Sequence, residues 1–269
     1  MAGPHELSGS APTEMARVSK DSRETRADRL AVEAPIAFVY NHTSHAVMMA
    51  SPRDLEDFAH GFTLAEGVVA DSSEILSVKI TPKGPGMSLA IEIPEARALA
   101  LGARKRNVAG RTGCGLCGIA DIEQVLRPLP VLADSRPISS QAVLRALAAL
   151  PGEQSLNAEN GAVHAAAFAA PDGALVIVRE DVGRHNALDK LIGAAARQGL
   201  DASSGFVVVT SRCSMEMVQK TATFGCPILV AVSAPTSLAV DLARQSNLTV
   251  AAFARDSRFN LYVHPERIV

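Results

Sequence analysis

The fold is decided by Gly205-Phe-Val-Val-Val-Thr-Ser-Arg-Cys-Ser-Met-Glu-Met-Val-Gln-Lys-Thr-Ala-Thr-Phe-Gly-Cys-Pro-Ile-Leu-Val-Ala-Val-Ser233. Its two short apolar runs, 205–210 and 227–233, predict buried strands. Residues 215–224 between them predict a helix. Because neighbouring parallel strands need a crossover that is usually helical, the stretch predicts a β-α-β unit of a parallel sheet.

Further helices and strands are predicted on both sides of this unit. The helices cover 140–150, 187–198 and 238–246. The strands cover 163–169, 175–179, 249–255 and 260–263. The turn Pro171-Asp-Gly173 between two apolar runs predicts a hairpin. Strands that alternate with helices indicate a three-layer α/β sheet, which we expect in residues 136–269.

A smaller α+β region is expected in residues 30–135. Its predicted strands cover 36–40, 44–49, 75–81 and 87–93. A helix is predicted between the second and third of these strands, with Ser51 as its N-cap, Pro52 at its first position and Gly67 at its end. Residues 1–29 are rich in Ser, Pro, Glu, Arg and Thr and hold few large apolar side chains. We therefore expect a disordered arm there.

Composition and charge exclude some classes of function. The chain has 269 residues, of which 48% are hydrophobic and 20% charged, and this is enough for a substantial core. A net charge of −2 gives no support to general nucleic-acid binding. The most apolar stretch is broken by His164, Pro171 and Asp172, so no membrane span is expected. We therefore expect a cytoplasmic protein that binds neither nucleic acid nor membrane.

Two cysteines form the glycine-flanked pair Gly113-Cys-Gly-Leu-Cys-Gly118. The thiolate is the form of cysteine that attacks sulfur and binds metals, and the flanking glycines let the backbone come close to a partner. A structural disulfide is disfavoured in a reducing compartment. A tetrahedral zinc site normally takes two ligand pairs, and Cys213 and Cys226 are not spaced as a second pair.

The position of the pair also disfavours a thioredoxin-like redox site. Such a site follows a strand near the start of the chain, whereas a polar loop in mid-chain precedes this pair. The pattern therefore favours a loop that carries or transfers sulfur on Cys114 and Cys117.

Polar side chains follow several predicted strands at their carboxyl ends, where ligands bind in open α/β sheets. The first junction contains Asp181, Arg184, His185 and Asn186, which suit a polar heterocycle and a phosphate at a helix N-terminus. A helix cap beside a solvated turn explains the same residues without a ligand.

Two other junctions have the same two interpretations. Thr236 and Ser237 either cap a helix or hold a phosphate on its amides. Arg255, Arg258 and Asn260 suit a phosphate or a guanine edge, or they form a solvated hairpin tip. The remaining cysteines, Cys213 and Cys226, adjoin apolar strands, which is typical of small buried side chains.

Five segments together carry a family resemblance. They are Ser51-Pro-Arg-Asp-Leu-Glu-Asp-Phe-Ala-His-Gly-Phe-Thr-Leu-Ala-Glu-Gly67, Gly113-Cys-Gly-Leu-Cys-Gly118, Glu180-Asp-Val-Gly-Arg-His-Asn-Ala-Leu-Asp-Lys190, Ser233-Ala-Pro-Thr-Ser-Leu-Ala239 and Phe259-Asn-Leu-Tyr-Val-His-Pro-Glu-Arg267. They are similar to segments of the FdhD-type formate dehydrogenase accessory proteins. The resemblance runs from about Asp28 to Val269.

The resemblance implies a sulfurtransferase with a fold related to the cytidine deaminases, but without their zinc or any other metal of its own. Such proteins take persulfide sulfur from a cysteine desulfurase. They pass it to the molybdenum or tungsten bis(molybdopterin guanine dinucleotide) cofactor of the formate dehydrogenase catalytic subunit. Cys114 matches the position that carries the persulfide, and Cys117 matches its partner.

The resemblance also implies where the cofactor is held. The matching residues are Phe253, Ala254, Arg255, Asp256, Ser257 and Arg258. Since the cofactor has two guanosine arms, a symmetric dimer would supply two sets of contacts, and we expect a homodimer.

Two other functions remain open at this stage. A zinc-dependent deaminase would use the cysteine pair as metal ligands, but it also takes a His-x-Glu, and His60 is followed by Gly61 and Phe62. A chaperone that only binds the cofactor would function without either cysteine.

Overall fold

The computed structural model describes residues 9–106, 128–255 and 257–269. Its strands are β1 (Ser10–Val18), β2 (Arg23–Ala31), β3 (Ala34–Tyr40), β4 (Thr43–Ala50), β5 (Ser77–Lys83), β6 (Gly86–Glu92), β7 (His164–Ala169), β8 (Leu175–Asp181), β9 (Phe206–Val209), β10 (Ile228–Ala231), β11 (Thr249–Arg255) and β12 (Arg258–Val263). Its α-helices are α1 (Leu55–Ala65), α2 (Glu95–Arg106), α3 (Ser140–Glu153), α4 (Ser155–Asn160), α5 (Arg184–Arg197), α6 (Met215–Phe224) and α7 (Ser237–Gln245).

The largest sheet confirms the predicted α/β architecture. Its strand order is β12-β11-β10-β9-β7-β8. Strands β9, β10 and β11 are parallel, and the other neighbouring pairs are antiparallel. The β-α-β unit predicted above forms β9, α6 and β10, and the helix has the predicted bounds.

Helices cover both faces of this sheet. Because side chains alternate along a strand, Val207 and Leu229 face one side, and Val208 and Val230 face the other. The first two pack with α5, α6 and α7, and the last two pack with α3. This is the expected three-layer arrangement. The relationship to the cytidine deaminases and the domain boundaries stay predictions.

A four-stranded sheet of order β4-β3-β6-β5 packs against α1. The contact is aromatic: the ring centroid of Phe38 lies 5.0 Å from that of Phe58 and 4.2 Å from that of Phe62. Helix α1 places Phe58 and Phe62 on one face because they are four residues apart. This sheet and α1 form the α+β region that was expected before residue 136.

Helix α1 crosses α5 at very close range, and two glycines make the crossing possible. A Cβ atom added to Gly61 would overlap the carbonyl oxygen of Asp189, and one added to Gly193 would overlap that of Asp57. Backbone therefore packs on backbone, which joins the smaller sheet to the larger one through α1 and α5.

Gly61→Ala is expected to lower the free energy of unfolding by about 1–3 kcal/mol, because the added methyl group forces the two helices apart. Urea unfolding measures this difference. Gly102→Ala in α2 is the matched control, since a Cβ added there meets no described atom within 4 Å. Alanine at this position is expected to raise stability by about 0.5–1 kcal/mol. Equal effects of the two substitutions would contradict the proposed close packing.

The prediction of a disordered arm over residues 1–29 is wrong for its later part. Strands β1 and β2 pair in an antiparallel hairpin. Although most of its side chains are exposed, Arg29 Nε lies 3.1 Å from Ser10 Oγ and 3.1 Å from Glu159 Oε2, which ties the hairpin to α4. Backbone pairing and these polar contacts hold the hairpin, and a composition rule based on apolar burial does not detect them.

The predicted start of α1 is also wrong. The helix begins at Leu55, after Asp54 in a left-handed conformation with φ 52°. Ser51 does not cap the helix, because its hydroxyl oxygen accepts a hydrogen bond from Val182 N at 3.1 Å. Helices α2 and α4 were not predicted. Within the described residues, no helix is long and apolar enough to cross a membrane.

Candidate functional site

The parallel strands β9, β10 and β11 end at one edge of the large sheet, which we call the carboxyl edge. Thr210 directly follows β9, Val232 directly follows β10, and Arg255 is the last residue of β11. Strand β7 begins at the same edge, because it is antiparallel to β9, and His164 is its first residue. The predicted binding segments therefore meet at the edge where α/β sheets bind ligands.

A cavity of about 420 Å³ lies between α3 and the carboxyl edge. The side chains from α3 are apolar, and the polar groups come from Gln154, which follows α3, and from the strand side. The lining residues are Leu144, Leu147, Ala148, Leu150, Pro151, Gln154, Thr210, Val232, Ala254, Arg255 and Ser257. Ala254, Arg255 and Ser257, three of the residues that the resemblance implies for cofactor binding, line this cavity, and their binding of a cofactor stays a prediction. Phe253 and Arg258 are exposed beside it, and Asp256 lies outside the described residues.

A β-bulge gives the cavity this lining. The register of β11 against β12 shifts between Ala252 and Arg255, and Phe253 has a φ of 52°. Regular alternation would put Ala252 and Ala254 on the same face. Instead, Ala252 packs on the α5 side and Ala254 on the α3 side. The extra residue therefore turns Ala254 into the cavity wall.

Asp181 and Asn186 lie in the interior, where their contacts are with the protein. Lys190 Nζ lies 2.6 Å from Asp181 Oδ2, and both side chains are fully buried. The same oxygen accepts from Ser51 N at 2.9 Å, and Asp181 Oδ1 accepts from Gly183 N at 2.8 Å and from Asn186 Nδ2 at 2.9 Å. Their role in binding a ligand stays a prediction, while the structure shows them holding the turn before α5.

Arg184 and His185 lie in the first turn of α5, near the first turn of α6. His185 Nε2 lies 3.8 Å from Glu216 Oε1. The imidazole beside it lowers the pKa of Glu216 to about 2. Burial, followed by the charges of Arg184 and His185, lowers the pKa of His164. We call His164, Arg184, His185, Ser214 and Glu216 the polar cluster.

Sequence reasoning identified Arg184 and His185 but missed His164 and Glu216. One feature of the sequence could have identified Glu216. It lies in the first turn of the predicted helix that follows strand β9. The cluster lies on the α5 side of the sheet. His164 and Ala166 are two residues apart along β7 and therefore face the same side, and Ala166 packs on the α5 side. The cavity and the cluster are therefore on opposite faces of one edge.

Thr236 and Ser237 are placed as a helix start. Thr236 Oγ1 accepts a hydrogen bond from Ala239 N at 3.3 Å, so Thr236 caps α7. Both residues are exposed at the carboxyl edge and do not line the cavity. The capping interpretation is confirmed for Thr236, and phosphate binding stays a prediction.

Cys114 and Cys117 lie outside the described residues. Cys213 and Cys226 are fully buried, and burial raises the pKa of each thiol to about 12. The interpretation of these two as buried side chains is confirmed, and their thiols stay protonated at neutral pH. In the part of the chain that the structure describes, no group of three or more His, Cys, Asp or Glu side chains is placed to hold a metal ion.

Comparison with known proteins identifies the family. The sequence matches the FdhD/NarQ family over residues 31–269. The chain belongs to this family. The resemblance seen in the five sequence segments is thereby confirmed for almost the whole chain.

Two relatives and one solved structure show which proteins this FdhD/NarQ family member is similar to. The chain is 50% identical over 244 residues to a sulfur carrier protein FdhD of Bordetella petrii, covering 91% of this chain and 88% of that protein. It is 53% identical over 241 residues to the sulfur carrier protein FdhD of Xanthomonas euvesicatoria, covering 90% and 86%. A crystal structure of a formate dehydrogenase accessory protein from Desulfotalea psychrophila shares the fold, with a TM-score of 0.78 and 25% identity over 97% of this chain and 99% of that one.

Proposed function

We propose that this protein is a sulfurtransferase, which takes persulfide sulfur from a cysteine desulfurase and delivers it to a bis(molybdopterin guanine dinucleotide) cofactor of molybdenum or tungsten. The proposal rests on sequence identity to proteins named sulfur carriers. Over about nine-tenths of the chain, about half of the aligned residues are identical to theirs. Such a role requires thiols that can accept and release sulfur, and the glycine-flanked pair Cys114 and Cys117 supplies two of them.

The transfer takes place in two steps, each of which uses the thiolate of one cysteine. The Cys114 thiolate attacks the outer sulfur of the desulfurase persulfide, breaks its S–S bond and releases the desulfurase thiolate. The Cys117 thiolate then attacks the Sγ atom of the Cys114 persulfide. This step forms a disulfide between the cysteines and releases the outer sulfur as sulfide, so the thiols are oxidised and the sulfane sulfur is reduced.

The carboxyl edge is proposed to bind the cofactor as cargo. Arg255 offers a guanidinium for phosphate, and the cavity beside it offers an apolar wall for a ring. The polar cluster on the other face offers a second set of polar contacts. Since the cargo has two guanosine arms, we propose that the protein acts as a cytoplasmic homodimer that serves the catalytic subunit of a formate dehydrogenase.

Sulfur mapping tests the proposal. After incubation with a cysteine desulfurase and cysteine, Cys114 is expected to gain the mass of one sulfur atom in peptide mass spectrometry. Cys213 and Cys226 serve as internal controls, because buried and protonated thiols are expected to stay unmodified in the folded protein.

Two outcomes would contradict this function. A chain that gains no sulfur on either Cys114 or Cys117 is not a sulfur carrier. A stoichiometric zinc ion that is lost in Cys114→Ser would place the protein with metal-dependent hydrolases instead.

A further inference from the structure

Three charged side chains meet where α1 packs against α5 and α6. Lys220 Nζ, from α6, lies 2.7 Å from Asp189 Oδ1 on α5 and 3.0 Å from Glu66 Oε1 at the end of α1. The side chains of Lys220 and Asp189 are buried, whereas that of Glu66 is 36% exposed and lies at the rim. We call these three residues the charged seam.

The charges of the seam do not balance. One ammonium group faces two carboxylates, so one positive and two negative charges leave a net charge of −1 when all three groups are ionised. Like charges in a buried site disfavour their own ionisation, and one carboxylate therefore tends to take up a proton. Asp189 is that carboxylate, because only 1% of its side chain is exposed and water does not stabilise its charge.

The groups around Asp189 act on its ionisation in both directions. Burial raises the pKa of Asp189 to about 6, the charge of Lys220 opposes this rise, and the charge of Glu66 adds to it. His185, one turn earlier on α5, also favours the ionised form. Tyr40 of β3 lies near the seam as a neutral group, because burial raises the pKa of its hydroxyl.

We propose that the charged seam makes the contact of α1 with α5 and α6 sensitive to pH, tighter in mildly acidic than in neutral solution. With Asp189 protonated, Lys220 pairs with Glu66 and the seam is neutral. With Asp189 ionised, the seam contains an uncompensated negative charge. Since α1 packs on the smaller sheet, and α5 and α6 begin at the carboxyl edge, the contact between the two regions depends on pH.

The direction of the effect follows from the raised pKa of Asp189. A carboxyl group that holds its proton more strongly in the folded chain stabilises the fold below its usual pKa, and this stabilisation is lost as the pH rises through the folded pKa. For Asp189 the loss falls between about pH 4 and pH 6. Carboxylates with lowered pKa values have the opposite effect, so a comparison with a variant is needed to isolate Asp189.

Urea unfolding of the unmodified protein and of Asp189→Asn, between about pH 4.5 and pH 7.5, tests the seam. As the pH is lowered over this range, the unfolding equilibrium constant of the unmodified protein is expected to fall about tenfold or more relative to that of Asp189→Asn. Glu66→Gln removes the second carboxylate, so Lys220 pairs with Asp189 alone. The same comparison in the Glu66→Gln background is expected to give a smaller change.

Asp241→Asn is the matched control. It makes the same change in an ion pair with Arg244 on the surface, where both side chains are about 60% exposed. The ratio of its unfolding constant to that of the unmodified protein is expected to vary by less than about twofold with pH. Nuclear magnetic resonance of the Asp189 carboxyl carbon in the unmodified protein is a second measurement, which does not depend on the stability of a variant. We expect this carbon to titrate near pH 6, and at lower pH in Glu66→Gln.

Three results would overturn the inference. The first is a ratio between the unmodified protein and Asp189→Asn that does not change with pH. The second is an Asp189 carboxyl that titrates below about pH 4.5, as an ordinary carboxyl does. The third is a change in Asp241→Asn as large as that in Asp189→Asn, because burial would then not be the cause.

Discussion

Cys114→Ala is expected to abolish formate dehydrogenase activity in a strain that lacks its own copy of this protein. The substitution removes the thiolate that accepts the sulfane sulfur, and no described cysteine can replace it, because Cys213 and Cys226 are buried and protonated. The measurement is formate oxidation in cell extracts, normalised to the amount of dehydrogenase. Cys117→Ala is expected to have a similar or smaller effect.

Cys226→Ala is the matched control for the loss of a thiol. Cys226 is fully buried, and its Sγ lies 3.5 Å from the carbonyl oxygen of Ile228. It precedes β10 and therefore lies at the end of the strand opposite the carboxyl edge. This variant is expected to keep dehydrogenase activity while losing some stability to the small cavity. Full dehydrogenase activity with Cys114→Ala would show that the protein acts without sulfur transfer, as a chaperone for the cofactor.

The repeating part of the fold is the part that sequence predicts well. Strand β11 and helix α6 have the predicted bounds, because short apolar runs alternate with one-sided helices in this half of the chain. The hairpin of β1 and β2 was missed for the opposite reason. Its strands are mostly exposed, so the apolar periodicity that identifies buried strands is absent.

The candidate site was predicted in part, because some of its determinants depend on distant contacts. The role of Ser51 could not be predicted from the residues next to it in the sequence, because its partners Asp181 and Val182 lie at the end of β8 in the other sheet. The bulge that turns Ala254 into the cavity depends on the register between β11 and β12. Glu216 was missed because its neighbour His185 lies in the first turn of a different helix.

The turn that presents Arg184 and His185 depends on a buried ion pair that joins the two sheets. Lys190 Nζ contacts Asp181 Oδ2 at 2.6 Å and donates to Ser51 O at 2.9 Å. Asp181 also accepts from three further donors around the turn. These contacts hold Ser51, which follows β4, against the end of β8, so the pair couples the smaller region to the carboxyl edge.

Asp181→Ala is therefore expected to lower the free energy of unfolding by about 3–5 kcal/mol, because it leaves the Lys190 ammonium buried without its counter-charge. Urea unfolding measures the loss, with Asp241→Ala as the matched control. Asp241 pairs with Arg244 at 3.0 Å on the surface, where both side chains are about 60% exposed, and its loss is expected to change stability by about 0.5 kcal/mol or less. The double variant Asp181→Ala, Lys190→Met removes both charges and is expected to recover part of the stability. A loss in Asp181→Ala as small as that in Asp241→Ala would mean that water reaches Lys190, and that the pair does not couple the two sheets.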